Sequence, residues 1–180
     1  MHEVWRGVIE GVAGSMAYIA DRRWNLVAHN ADFAALFPPG KTPSNVMRWM
    51  LLDEQARTVT LTNWSDAWAP VVCPALREAV AQYPDDPDLI ELATDVRLDP
   101  VVGPIYETTG NTRALHPDGV VRPIHHAVKG PGWVVVSAAN PLTQIDARVV
   151  FMQFRPGATR PHLPLPLSTK DNHWDPPGRA

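Results

Sequence analysis

The sequence predicts an α+β domain. Two observations carry this prediction. A pair of short strand candidates near the start and three more near the end enclose a central stretch whose apolar residues recur at helical spacing. The composition, 45% hydrophobic and 19% charged, is that of a globular chain able to bury a core. A 180-residue chain buries roughly 70% of the surface it exposes when unfolded, so it needs no metal or disulfide to hold that core. A net charge of -3 argues against a basic nucleic-acid footprint. The single cysteine, Cys73, excludes an internal disulfide framework and fits a reducing cytoplasm. No apolar run approaches the ~18 residues of a membrane span. The opening MHEVWRGVIEG lacks the basic-then-apolar pattern of a secretory signal.

The elements follow in order. Residues 3–13 predict a short helix with Val4, Trp5, Val8, Ile9 and Val12 on one side, weakened by Gly7 and Gly11. Ala17 to Ala20 and Asn25 to Ala28 are strand candidates joined by the turn Asp21-Arg22-Arg23. Asn30 reads as the N-cap of a helix carrying Phe33, Leu36 and Phe37, which Pro38-Pro39-Gly40 ends. A second helix begins at Ser44 or Asn45 and shows Val46, Trp49 and Met50 on one face, and Asp53-Glu54-Gln55 caps a further turn. A longer helical stretch from Thr62 or Asn63 has the stripe Trp64, Trp68, Val71, Val72, Leu76, Val80 and Tyr83. Pro70 and Pro74 interrupt it, so the helix either kinks or restarts with Pro74 in its first turn. Asp86-Pro87-Asp88 opens the next helix, whose buried face is Leu89, Leu92, Ala93 and Val96. Strand candidates then occupy Arg113 to Leu115, Val120 to Val128, Gly132 to Ala139 and Ala147 to Phe154, separated by Pro117-Asp118-Gly119 and Lys129-Gly130-Pro131-Gly132.

An antiparallel sheet with helices inserted between its first hairpin and its last three strands is the α+β pattern of a PAS-like domain, in which five strands pack helices around a cavity. The stretch from Arg155 to Ala180 has six prolines and no apolar period. The expected organisation is therefore a PAS-like domain over 1–155 and a Pro-rich disordered tail over 156–180.

The run Ala17-Tyr18-Ile19-Ala20-Asp21-Arg22-Arg23-Trp24-Asn25-Leu26-Val27-Ala28-His29-Asn30, with Ala34-Ala35-Leu36-Phe37 after it, resembles the opening of the MmyB-like ligand-binding domain of bacterial transcription regulators. Further landmarks recur in order: Asn45, Leu51-Leu52-Asp53, Ala56-Arg57, Asn63-Trp64, Leu76-Arg77, Asp85-Asp86-Pro87, Asp99 to Tyr106 and His116-Pro117. The resemblance covers about residues 15–145. It departs at Tyr106, where Trp is usual, and at Pro70 and Pro74, which fall in a normally unbroken helix. The family typically carries a helix-turn-helix ahead of this domain, and the residues before Ala17 are too few to encode one. The expectation is a sensor without its own DNA reader.

Each candidate site residue has a bland reading as well. Trp24, Phe33, Phe37, Trp49, Trp64, Trp68, Tyr106 and Trp133 are core residues or the wall of an apolar pocket. The resemblance implies an apolar cavity suited to an aliphatic, fatty-acid-like ligand. Phe33, Phe37, Trp49, Met50, Trp64, Trp68, Tyr106 and Trp133 are the wall candidates, with Arg77 and His116 as polar anchors for an acidic head. Adjacent strand residues His125 and His126 point to opposite faces and cannot share a metal, and no Cys/His cluster suggests zinc. No catalytic residue is expected: there is no G-x-S-x-G, P-loop or dinucleotide fingerprint, and Cys73 lacks spaced His or Asp companions. A small enzyme on this fold is the minor reading.

The expected function is ligand sensing in the cytoplasm for a bacterial transcriptional regulator. A small apolar ligand would fill an aromatic-lined cavity and signal by a conformational population shift. No cofactor, membrane or direct nucleic-acid contact is expected, and the further partner is a protein or a second copy. The alternative is a PAS-like interaction or dimerisation module whose cavity is filled by its own side chains.

Overall fold

The computed structural model describes residues 2–109, 119–141 and 146–161. The chain begins with helix α1 (His2–Glu10), followed by strands β1 (Met16–Ala20) and β2 (Leu26–His29). The helices α2 (Ala31–Ala34), α3 (Val46–Leu52), α4 (Ala69–Gln82), α5 (Pro87–Leu98) and α6 (Val102–Thr108) come next. Strands β3 (Val120–His126), β4 (Gly130–Ala139) and β5 (Arg148–Pro156) complete one antiparallel sheet in the order β2-β1-β5-β4-β3. The fold is therefore α+β, with the helical layer inserted between the first hairpin and the last three strands.

The central pairing joins the two ends of the chain. Tyr18 lies opposite Val150, and Val136 opposite Met152. Strand alternation then divides the sheet's side chains between two cores. Met16, Tyr18, Ala20, Ile124, Val134, Val136, Val150 and Met152 face α2 to α6, while Ala17, Ile19, Ala28 and Val149 face α1. In α1 only the stripe Trp5, Ile9 and, just beyond it, Val12 packs on the sheet. Val4 and Val8, expected on the same side, are exposed, because a helix this short against a flat sheet buries one narrow row.

The caps explain where the helices start. Asn30 Oδ1 accepts from Phe33 N at 2.9 Å and from Ala17 N at 3.0 Å, and its Nδ2 donates to the Val12 and Ser15 carbonyls at 3.0 and 2.7 Å. This buried amide both caps α2 and ties it to the approach to β1. Asn45 caps α3 through Arg48 N at 2.9 Å, and Asp86 caps α5 through Asp88 N at 3.2 Å.

Between α3 and α4 the chain does not form the continuous helix suggested by the stripe. It makes two wide turns, Ala56–Thr60 and Trp64–Trp68, closed by Leu61 N to Ala56 O and Ala69 N to Trp64 O, with Asn63 left-handed at φ 51° between them. The helix restarts at Ala69 with Pro70 in its first turn, where a missing N–H costs nothing, and Pro74 lies inside it. Helix α6, which the sequence reading left unassigned, starts where Asp99 Oδ1 accepts from Val101 N and Val102 N. It packs tightly on α5: a Cβ at Gly103 would stand 2.5 Å from the Arg97 carbonyl oxygen. The strand candidate at 113–115 and all but the first residues of the expected tail lie outside the described residues.

Candidate functional site

The sheet's helix-facing side forms the floor of an interior cavity of about 390 Å3. Tyr18 and Ala20 of β1, Val150 and Met152 of β5, Val136 and Ala138 of β4, and Ile124 of β3 line that floor. The roof is Phe33 and Leu36, then Val46, Met47, Trp49 and Met50 of α3, then Leu61 and Trp68, then Val72 and Ala75 of α4. An apolar cavity of this volume lies within the ~300–1,000 Å3 range of small-molecule sites.

The roof's large rings are held by their polar edges and by one another. Trp64 Nε1 donates to the Met50 carbonyl at 2.8 Å, and Trp68 Nε1 donates to the Pro123 carbonyl at 3.0 Å. Phe33 packs on Tyr18 with ring centroids 4.7 Å apart and edge-on to Phe37 at 5.2 Å. Phe37 in turn meets Trp49 edge-on at 5.1 Å. These tilted and edge contacts are the favoured aromatic geometries.

One end of the cavity is polar. The turn after β1 brings Trp24 to a left-handed φ of 62°, and its ring lies under the Arg148 guanidinium, 5.5 Å from the ring centroid. Arg148 opens β5 opposite Ala20, on the same row as Val150 and Met152. Burial pushes the Tyr18 hydroxyl up to about 12, and the nearby Arg148 charge opposes that rise. A second recess, of about 230 Å3, adjoins this end and shares Trp24, Ala75, Asn140 and Arg148 with the cavity. Its other walls include Arg22, Glu78, Tyr83 and Asp146. Arg22 spans Asp86 at 3.2 Å and Asp146 at 3.9 Å, and the Tyr83 hydroxyl donates to Asp146 at 3.0 Å. Arg23 also binds Asp86, at 2.8 Å, and pairs with Asp88.

Of the residues singled out from the sequence, Phe33, Trp49, Met50 and Trp68 line the cavity. Phe37 and Trp64 are buried one layer back, supporting Trp49 and Met50. Arg77 and Tyr106 lie away from it: Arg77 donates to the Tyr106 and Thr109 carbonyls and fastens α4 to α6, its guanidinium 5.4 Å from the Tyr106 ring centroid. Trp133 sits on the opposite side of β4 from Val134 and Val136, because neighbouring strand residues face opposite ways. His116 lies outside the described residues.

Trp24, one of the aromatics read as core or pocket wall, also lines the cavity, whereas Tyr18, Asn140 and Arg148 were not among the candidates. Strand parity carried a usable signal for two of them, since Tyr18 shares a row with Ala20, and Arg148 with Val150 and Met152. Trp24 reaches the cavity only through its left-handed backbone, which no pattern announces. Among the described residues no group of three His, Cys, Asp or Glu is placed to hold a metal. Cys73 is buried in α4, and burial pushes its thiol up to about 11, so it is not a thiolate at neutral pH. No helix among the described residues is long and apolar enough to cross a membrane.

The model of the family described as the MmyB-like transcription regulator ligand binding domain matches residues 2–158, which span the whole sheet and the helical layer. No curated protein matches the chain. With the match running through every element that builds the cavity, the chain belongs to the MmyB-like transcription regulator ligand-binding domain family.

Proposed function

We propose that this domain senses a small apolar, fatty-acid-like molecule held in the cavity between sheet and helices, on behalf of a bacterial transcriptional regulator in the cytoplasm. The observation that carries this reading is the apolar cavity of about 390 Å3 within a family of regulator ligand-binding domains. The five-stranded antiparallel sheet with helices on its cavity side supports the PAS-like description. Burying an aliphatic chain contributes roughly 0.8 kcal/mol per methylene, so a ten-carbon ligand gains roughly 8 kcal/mol before an association cost of at least about 4 kcal/mol.

The signal is a population shift in the roof. Leu61 and Trp68 line the cavity from the segment made of two wide turns, whose i→i−5 bonding is of the rare kind that recurs at functional sites. A ligand that touches one arrangement of this segment better than another biases the surface shown to a protein partner or second copy. The chain itself has no DNA-reading role in this scheme, and no enzymatic one.

Native mass spectrometry of the purified protein tests the reading, together with displacement of a fluorescent apolar probe by aliphatic acids of graded length. A co-purified aliphatic molecule, or saturable displacement, is the expected result. If no aliphatic compound binds, the domain is an interaction module instead.

A further inference from the structure

Among the described residues the cavity has one charged group on its lining, and that group has no ion pair there. Arg22, Arg23, Arg48, Arg57 and Arg97 each have a carboxylate within 4.0 Å. Arg148 has none among the described residues, and its guanidinium rests on the Trp24 ring. It stands on the wall shared by the apolar chamber and the polar recess, on the cavity-facing row of β5. Three carboxylates line the recess: Asp146 is engaged by Tyr83 and Arg22, Asp21 by the backbone N–H groups of Arg23 and Asn25, and Glu78 stands on the α4 wall. Beside Arg148, Tyr18 lines the chamber, and its hydroxyl makes no hydrogen bond among the described residues.

A guanidinium lying over an indole, 5.5 Å from its centroid, keeps its planar N–H fork free to take a carboxylate through two parallel bonds. The cation–π contact leaves those donors unused while favouring positions of the side chain over the ring, so less side-chain freedom is lost on binding. We propose that Arg148, oriented by Trp24, is the anion anchor of this cavity. The ligand would be a single-chain amphiphile with a carboxylate head at the recess and its chain among Trp49, Met50 and Trp68. The Tyr18 hydroxyl is the second donor to the head. This rests on the reading of the cavity as an apolar ligand site, and it assigns the head-group role to a residue other than Arg77, which holds α6.

The test compares decanoate with decanol in a probe-displacement titration on the full chain, using wild type, Arg148→Gln and Arg148→Lys, with circular dichroism to check folding. Arg148 is exposed, so these variants keep the core intact. Wild type should prefer decanoate to decanol by about ten- to a hundredfold, the worth of a hydrogen-bonded charge. Arg148→Gln should abolish that preference while decanol binding stays unchanged, and Arg148→Lys should retain part of it. If decanol binds and the preference is missing in wild type or survives in Arg148→Gln, the anchor is wrong and the apolar site stands. If neither compound displaces the probe from wild type, the apolar site itself is wrong and the anchor falls with it.

Discussion

The indole N–H of Trp68 donates to the carbonyl of Pro123 at 3.0 Å, so the roof of the cavity is bonded to the edge strand of its floor. Pro123 has no N–H to offer the sheet, which suits an edge position. Its carbonyl is the point where the irregular Trp64–Trp68 turn is secured before α4 begins. At this side the hydrogen bond joins the roof of the cavity to its floor.

Trp68→Phe keeps an aromatic ring but removes the donor and leaves the Pro123 carbonyl unpaired. Stability should fall by about 1–2 kcal/mol. Trp68→Ala should cost about 3–5 kcal/mol, since the side chain is 4% exposed and its loss enlarges the cavity. Denaturant titrations measure both. Equal losses for the two variants would mean that the ring, not the bond, has no separate role.

Asn30 should be the most costly cap to remove. Asn30→Ala deletes four bonds and leaves the Val12 and Ser15 carbonyls without their donor, for a loss of about 3 kcal/mol. Asn45→Ala, at a more exposed cap, should lose about 1 kcal/mol. The comparison is a pair of urea midpoints, and a larger effect at Asn45 would contradict the hub role of Asn30.

His126 makes stability depend on pH near neutrality. Its ring is fully buried, Nδ1 accepts from Val128 N at 3.1 Å and Lys129 N at 3.3 Å, and the ring lies edge-on to Phe154. Burial, aided by the Lys129 and His125 charges and opposed by Asp32, pushes its pKa below the ordinary 6.5. Between the folded value and 6.5 the unfolded chain binds a proton that the native ring refuses. Stability is therefore fully present above 6.5 and declines as pH falls below it. The melting temperature should drop in this range, and His126→Gln should show a shallower slope. Parallel slopes would remove His126 from the account.

Asp86 acts in the acid range. Burial raises its pKa, but the bonds from Arg23, Leu89 N and Arg22 outweigh that and hold the carboxyl below the ordinary 3.8. Its contribution is present above 3.8 and is lost as pH falls further. Asp86→Asn should lower stability at pH 7, and the gap between variant and wild type should narrow as the pH drops below that value. A gap that stays constant with pH would show that the loss is one of shape and not of charge.

Gly103→Ala should destabilise by about 1–3 kcal/mol, since its Cβ would meet the Arg97 backbone oxygen and either α5 or α6 must move. A neutral substitution, measured by thermal melting, would mean that α6 shifts freely on α5.

The order of the elements apart from α6 and the two wide turns, the caps at Asn30, Asn45 and Asp86, and the inward position of Trp49, Met50 and Trp68 were legible in the sequence, because they depend on local chemistry. A side-chain oxygen three residues before an apolar period marks a helix start, and apolar spacing marks its buried face. What the tertiary structure alone decided is which buried residues face empty space. Trp64 and Trp68 carry the same side chain in the same turn, yet one donates to Met50 behind the wall and the other spans the cavity to Pro123. Arg77 and Arg148 likewise differ only in surroundings: the first finds the carbonyls ending α6, and the second finds a ring and, among the described residues, no carboxylate. Local propensity sets the direction of a side chain relative to its own element. Its partner is set by strands and helices far away in sequence, such as the pairing of β1 with β5 that brings Ala20 opposite Arg148 and so places Arg148 at the cavity's mouth.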